Sequence, residues 1–260
     1  MQPLLNIAIN AARLAGDIIV RHMDHLDRIK ITAKPNEGYF SEVDIKAEQA
    51  IIQTILKAHP DHGIMAEESG IQNGDAETVW IIDPLDGTSN YLHGFPCFSV
   101  SIAVRVKNRI EHGVVLDPLR HECFMASRGR GARLNDRRLR VSKQIQLSHA
   151  LLGTGFSFRD PNIKKRYLPT FEALFGNCAG IRRTGSAALD LAYVASGRLD
   201  GFWEFGLRPW DIAAGSLLIQ EAGGFISDLK GGENYLAHGD VVAGTPKVFK
   251  SLLQTLGSVT

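Results

Sequence analysis

The chain has 260 residues, with 29 basic and 28 acidic side chains, nine histidines, 44% hydrophobic residues and a formal net charge of +1. That length suffices for one large core or two small ones, and the near-zero charge excludes bulk electrostatics as a route to nucleic acid or a membrane surface. No apolar run approaches the roughly eighteen residues of a bilayer span, and the N-terminus lacks the order of a signal peptide, so the expected compartment is cytoplasmic with no membrane partner.

Taken in chain order, Pro3 precedes apolar residues at Leu4, Ile7, Ala8, Ala11, Leu14, Ala15, Ile18 and Ile19, the spacing of a helix with one buried face. Residues 30–43, with Pro35, Asn36 and Gly38, read as a polar, mobile loop, and a second helix is predicted over about 44–58. Strand patterns follow at 79–83, 98–106, 113–117 and 122–126, which suggest an antiparallel meander. A strand at 151–156, a helix near 163–175, a helix over 186–197 closed by Gly197 and a strand at 199–205 come next. A helix from 208 to 224 has Pro209 in its first turn and Gly223–Gly224 as a stop, before two short strands and a last helix ending near Leu256. Cys97, Cys123 and Cys178 form no C-x-x-C pair and are expected to be reduced and structural. The blocks of strands and helices indicate an α+β chain of layered sheets and helices rather than a doubly wound parallel sheet.

The chemistry gathers at "WIIDPLDGTSN", where an apolar strand ends in two aspartates three residues apart. Asp83 followed by Pro84 fits a type I turn that would fold Asp83 and Asp86 toward one point. Two carboxylates brought together stay ionised only if a cation compensates them, and hard oxygen ligands suit Mg²⁺ held jointly with a phosphate. Gly87 permits close backbone approach, and a helix opening at Thr88 would offer amides to an anion. A plain solvated Asp-Gly turn is the competing reading. Glu67 and Glu68 follow the short apolar run 64–66, and Asp211 opens an otherwise apolar helix; each also fits a bland turn or first-turn acid, as Asp44 fits an ordinary N-cap. The residue two before Asp86 is proline, which closes the D-x-D-G-T phosphoenzyme route; C-x5-R, G-x4-G-K-[ST] and H-E-x-x-H motifs are absent too. Hydrolysis by metal-activated water remains.

"EES", "WIIDPLDGTSN" and "WDIAAG", in this order and spacing, resemble the inositol monophosphatase family over essentially the whole chain, and "RRTGSAALDLAYVASGR" and "GLRPWDIAAG" resemble its bacterial SuhB-type branch. The resemblance implies a single domain over residues 1–260 with a layered αβαβα sandwich, commonly homodimeric. It implies a first Mg²⁺ on Glu67, Asp83 and the carbonyl of Leu85, a second on Asp83, Asp86 and Asp211, and a weaker third ion, with sensitivity to Li⁺. It further implies that Thr88, with Asp44 or Glu67, orients and deprotonates the attacking water, that the amides of Gly87 and Thr88 hold phosphate oxygens, and that Ala187 and Glu204 meet the inositol ring. Glu204 alone also fits an exposed strand-end acid. Lys34 and Glu37 fall in the loop that serves the third ion in the family, where this sequence departs from the pattern.

The implied reaction is hydrolysis of myo-inositol 1-phosphate or a similar polyol phosphate. A fructose-bisphosphatase, 3'-phosphoadenosine phosphatase or histidinol-phosphatase would share the same metal motifs. The branch also implies contact with transcription elongation and antitermination proteins or RNA. Residues 128–143, "RGRGARLNDRRLRVSK", form the most basic stretch of the chain and fit such a contact, or a solvated hairpin.

Overall fold

The computed structural model describes residues 2–34, 38–156 and 161–259. In chain order, α1 (Pro3–His22) leads through a 3₁₀ segment to β1 (Ile31–Lys34), β2 (Gly38–Ser41), α2 (Glu42–Ala58), β3 (Gly63–Ala66), β4 (Gly70–Gln72) and β5 (Thr78–Asp86). Next come α3 (Thr88–Leu92), β6 (Ser99–Val106), β7 (Arg109–Asp117), β8 (Glu122–Ser127), β9 (Gly131–Leu134) and β10 (Arg137–Arg138). The remainder comprises β11 (Leu151–Thr154), α4 (Pro161–Leu174), β12 (Gly180–Arg182), α5 (Ala187–Ala195), β13 (Gly201–Glu204), α6 (Pro209–Glu221), β14 (Phe225–Ser227), α7 (Tyr235–His238), β15 (Val241–Gly244) and α8 (Pro246–Gly257).

Among the described residues, one sheet has eight strands in the order β10-β9-β8-β7-β6-β5-β3-β4, and a second has five in the order β12-β11-β13-β15-β14. The first is antiparallel except where β3 runs parallel to β5; the second mixes parallel β12-β11-β13 with antiparallel β15 and β14.

Strand alternation sorts the apolar side chains into layers. Trp80 and Ile82 of β5, with Val100, Ile102 and Val104 of β6, pack against Ala8, Ala11 and Ile19 of α1 and Ile51 and Ile55 of α2. Ile81 and Ala103 point the other way, onto a middle layer made of α5 and α6. In β13 the same alternation turns Phe202 toward that middle layer and Trp203 toward α4 and α8. Five layers result, α1/α2, sheet, α5/α6, sheet, α4/α8, which is the αβαβα sandwich expected from the resemblance.

Three sequence expectations change. Part of 30–43 is ordered: β1 and β2 pair antiparallel, and α2 starts at Glu42 with Ser41 as its N-cap. Glu37 lies outside the described residues. The segment Pro3–Arg28 is long and apolar enough by length and composition alone to cross a membrane, contrary to the expectation that no run was. Its apolar face is committed elsewhere, since Ala8, Ala11, Ala12, Ala15 and Ile19 are fully buried in the core against the sheet.

The middle layer is packed to backbone contact. A Cβ on Gly113 of β7 would stand 2.8 Å from the carbonyl oxygen of Ala214 in α6, and one on Gly215 would stand 2.5 Å from Leu191 Cβ in α5. Gly113→Val is therefore expected to push α6 off the sheet and destabilise the fold by roughly 1–3 kcal/mol, read as a lowered urea midpoint.

Candidate active site

β5 does not end in a turn before its acids. Its pairing partner on β6 shifts from Ser101, opposite Asp83, to Ser99, opposite Asp86, so three steps on β5 match two on β6. One residue is extra, which makes this a β-bulge, and Pro84, with no N–H to pair, sits inside it. The expected type I turn is thus corrected to a bulged strand. The bulge has a direct chemical result. Side chains an odd number of residues apart on a regular strand point to opposite faces; the inserted residue restores Asp83 and Asp86 to the same side.

Asp211 meets them from α6. Carboxylate oxygens of Asp83, Asp86 and Asp211 all lie within 4.8 Å of one another. Each is steered by an amide. Leu85 N donates to Asp83 Oδ1 at 3.0 Å, Ala188 N donates to Asp86 Oδ2 at 2.8 Å beside Ser186 Oγ at 2.6 Å, and Arg208 N donates to Asp211 Oδ2 at 2.7 Å. Ser101, the residue opposite Asp83, also donates from Oγ to the carbonyl of Trp210 at 3.0 Å, which ties the start of α6 to the sheet.

Burial, then the charge of Glu67 and of the neighbouring aspartates, pushes the Asp83 carboxyl well above the usual range; burial, then Asp86, does the same to Asp211. Glu67 leaves β3 alongside β5, its amide donating to Ile82 O at 3.1 Å. Its turn is held by Glu48 of α2, buried, whose two carboxylate oxygens accept from Glu68 N and Ser69 N at 2.8 Å each. Sequence reasoning missed Glu48, Ser101 and Ser186, because each acts across elements far apart in the chain.

Asp44 is not the N-cap of α2 but its third residue. Its Oδ2 accepts from the N and Oγ of Ser41, at 2.8 and 2.5 Å, completing a capping box that Ser41-x-x-Asp44 already signals in the sequence. Its Oδ1 receives Thr88 Oγ1 at 2.9 Å, and the same hydroxyl lies 3.0 Å from Leu85 O. Burial raises the Asp44 carboxyl, opposed by the Ser41 and Thr88 hydrogen bonds. Gly87, at φ +97°, precedes α3, and a Cβ there would approach the carbonyls of Cys97 and Gly185 to 3.0 and 3.2 Å. Thr88 therefore does open a helix.

A cavity of about 110 Å³ adjoins the cluster, bounded by Asp86 and Asp211 at one end and by Arg183, Ala187, Asp190 and Glu204. Glu204 is not the exposed strand-end acid of the alternative reading: burial, then Asp190 and Asp211, raises its carboxyl well above the ordinary value. Larger clefts of about 750 and 960 Å³, at Arg166–His238 and between α1 and β8–β9, contain none of these residues. The structure thus gathers Asp44, Glu67, Asp83, Leu85, Asp86, Gly87, Thr88, Ala187, Glu204 and Asp211 around one place.

A five-layer sandwich with one buried and two half-buried carboxylates gathered at a strand bulge defines a class, and the chain belongs to the inositol monophosphatase family, whose model matches residues 1–259. Among individual proteins it is similar to Nus factor SuhB of Pseudomonas aeruginosa, 56% identical over 98% of this chain and 96% of the relative. It also superposes on the extragenic suppressor protein suhB of Bartonella henselae, 41% identical at a TM-score of 0.95 with 98% of each chain covered. The inositol monophosphatase of Anabaena is 37% identical at a TM-score of 0.88, covering 99% of this chain and 96% of that one.

Two outcomes follow from this geometry. Glu48→Ala is expected to strand the two amides of the Glu67 turn at a cost of roughly 2–4 kcal/mol, measurable by urea unfolding. Asp44, Asp83, Asp86, Asp190, Glu204 and Asp211 are all raised. The folded chain then holds more protons than the unfolded one, so this contribution is full below the usual carboxylate pKa of about 4 and is lost as pH rises through the raised values. Without divalent cations the melting temperature should fall from acid to neutral pH, and Asp83→Asn should raise it at neutral pH.

Proposed function

We propose that the protein is a Mg²⁺-dependent phosphomonoesterase that hydrolyses myo-inositol 1-phosphate and similar polyol phosphates. The observation that carries this is the bulge-built carboxylate cluster beside a polar cavity, on a chain of the inositol monophosphatase family. The donor set fits the metal, since several hard oxygens within 4.8 Å of one another, buried or half-buried and mutually repelling, are stabilised as anions by a cation. In this reading Glu67, Asp83, the carbonyl of Leu85, Asp86 and Asp211 hold two ions, a third being weaker. Bound there, the ions supply Lewis-acid polarisation of the phosphate and a lowered pKa for water.

The chain's own residues do the rest. Asp44 fixes the Thr88 hydroxyl, and the pair, with Glu67 as the other carboxylate, orients the attacking water and takes its proton. The amides of Gly87 and Thr88 hold phosphate oxygens at the helix start, and Ala187 and Glu204 receive the polyol. The protein acts in the cytoplasm, as one domain and as a homodimer. Related sugar or nucleotide phosphatase activities use the same acids, and the polyol side of the cavity distinguishes them.

A second reading, contact with transcription elongation or antitermination proteins or RNA, draws on the names of the Nus factor relatives and on one local observation. Arg133 of β9 pairs directly opposite Arg138 of β10, and Arg130, Arg133, Arg137, Arg138 and Arg140 are exposed along that sheet edge. Like charges opposed across strands destabilise the pair unless an anionic surface covers them.

Mg²⁺-dependent phosphate release from myo-inositol 1-phosphate should be detectable, inhibited by millimolar Li⁺, and reduced at least about a hundredfold in Asp83→Asn. Release unaffected by the substitution or by omission of Mg²⁺ would remove the metal mechanism. Arg137→Glu/Arg138→Glu should abolish binding to the elongation machinery or RNA while hydrolysis persists; unchanged binding would remove the second reading.

A further inference from the structure

The cavity beside the cluster contains a carboxylate that the proposed mechanism leaves unused. Asp190 lies in the first turn of α5 and is 1% exposed. Its Oδ1 has no hydrogen-bond partner among the described residues, and the nearby side chain of Thr184 only opposes the upward effect of burial on the carboxyl. A buried carboxylate oxygen without a donor has lost its water and gained nothing in exchange, a cost that proteins rarely sustain without a use.

The surroundings show what would meet it. Asp190 shares the cavity wall with Glu204 of β13, Thr154 of β11 and the cluster's Asp86 and Asp211. Glu204 enters because Gly155 has no side chain: a Cβ there would lie 2.2 Å from Glu204 Oε2. Two residues earlier on the same face, a Cβ on Gly153 would clash with Leu199 Cδ1 at 2.8 Å and stand in ordinary contact, 3.4 Å, with Asp190 Cγ, which places the Asp190 carboxyl over the same strand. Arg183 lines the same space, and its charge acts favourably on both acids, so the pair does not call for a second cation. About 110 Å³ of this composition fits the hydroxyl-bearing edge of a small molecule and suits no apolar group.

We propose that Asp190 is a specificity-determining residue which, with Glu204, receives hydroxyl groups of the substrate's alcohol, so that the site selects phosphomonoesters of polyols over those of alcohols lacking hydroxyls. The inference rests on the phosphatase reading above and deepens it. A hydroxyl can donate or accept, so it satisfies Asp190 whether or not that carboxyl is protonated. An alcohol without such groups leaves the buried oxygen unpaired, and sites built to bond a hydroxyl discriminate strongly against analogues that lack it.

The test compares kcat/KM for myo-inositol 1-phosphate with kcat/KM for p-nitrophenyl phosphate in the wild type, Asp190→Ala and Asp190→Asn, with thermal melts to verify folding. The ratio of the two should fall about tenfold in Asp190→Ala, mainly through KM for the inositol ester, and be partly restored by the amide of Asp190→Asn. A ratio equal to wild type in Asp190→Ala, whether or not both activities fall together, would overturn the inference. Should the wild type hydrolyse neither ester, the phosphatase reading fails, and saturation-transfer NMR with free myo-inositol decides the inference separately. Weaker binding in Asp190→Ala than in the wild type would uphold it; equal binding, or none to either, would overturn it.

Discussion

Like charges held close together in a partly buried place are the constraint on which this molecule turns. Asp83, Asp86 and Asp211 approach within 4.8 Å, with Glu67 near enough to raise two of them. The charge of Arg183 partly offsets the repulsion at Asp86, but the amides and the hydroxyl that hold the three aspartates are neutral groups. An amide fixes one oxygen of each aspartate, the Ser186 and Ser101 hydroxyls donate to Asp86 and to the start of α6, and the Glu48 carboxylate accepts the amides of the turn that carries Glu67. Such fixing determines where the carboxylates sit while leaving them grouped as a set that could hold a metal ion.

The same constraint explains why the site needs both sheets. Asp83 and Asp86 belong to the eight-stranded sheet, Asp211 and the Ser186 cap to the middle helices, and Glu204 to the five-stranded sheet. Their relative placement depends on how closely the middle layer is packed, which is where Gly113 and Gly215 allow backbone contact. Rigid packing remote from the acids thereby sets the distance between Asp83 and Asp86 on one sheet and Glu204 on the other.

A catalytic and a binding role are compatible on this framework. The arginine edge at β9–β10 and the acids of β5 are separated within one sheet by β8, β7 and β6. The positive surface therefore keeps its charge away from the acid cluster, and at physiological salt charges that far apart are largely screened from one another.

The sequence by itself determined a good deal. Helical periodicity located α1, α6 and α8, alternation located β6, and the resemblance carried by three separated motifs named the acids that the structure gathers. These signals are local, because side-chain period and ligand type are properties of short stretches. What escaped was non-local or depended on pairing. Pro84 looked like the corner of a turn, and only registration against Ser99 and Ser101 reveals a bulge; residues 30–43 looked like loop, and only β1–β2 pairing orders part of them. Glu48 and Asp190 resembled unremarkable helix residues, since nothing within their own helices indicates which distant amides one receives or that the other's oxygen is left without a partner. Tertiary structure decided these points because hydrogen bonding and burial are settled between elements that meet only after folding.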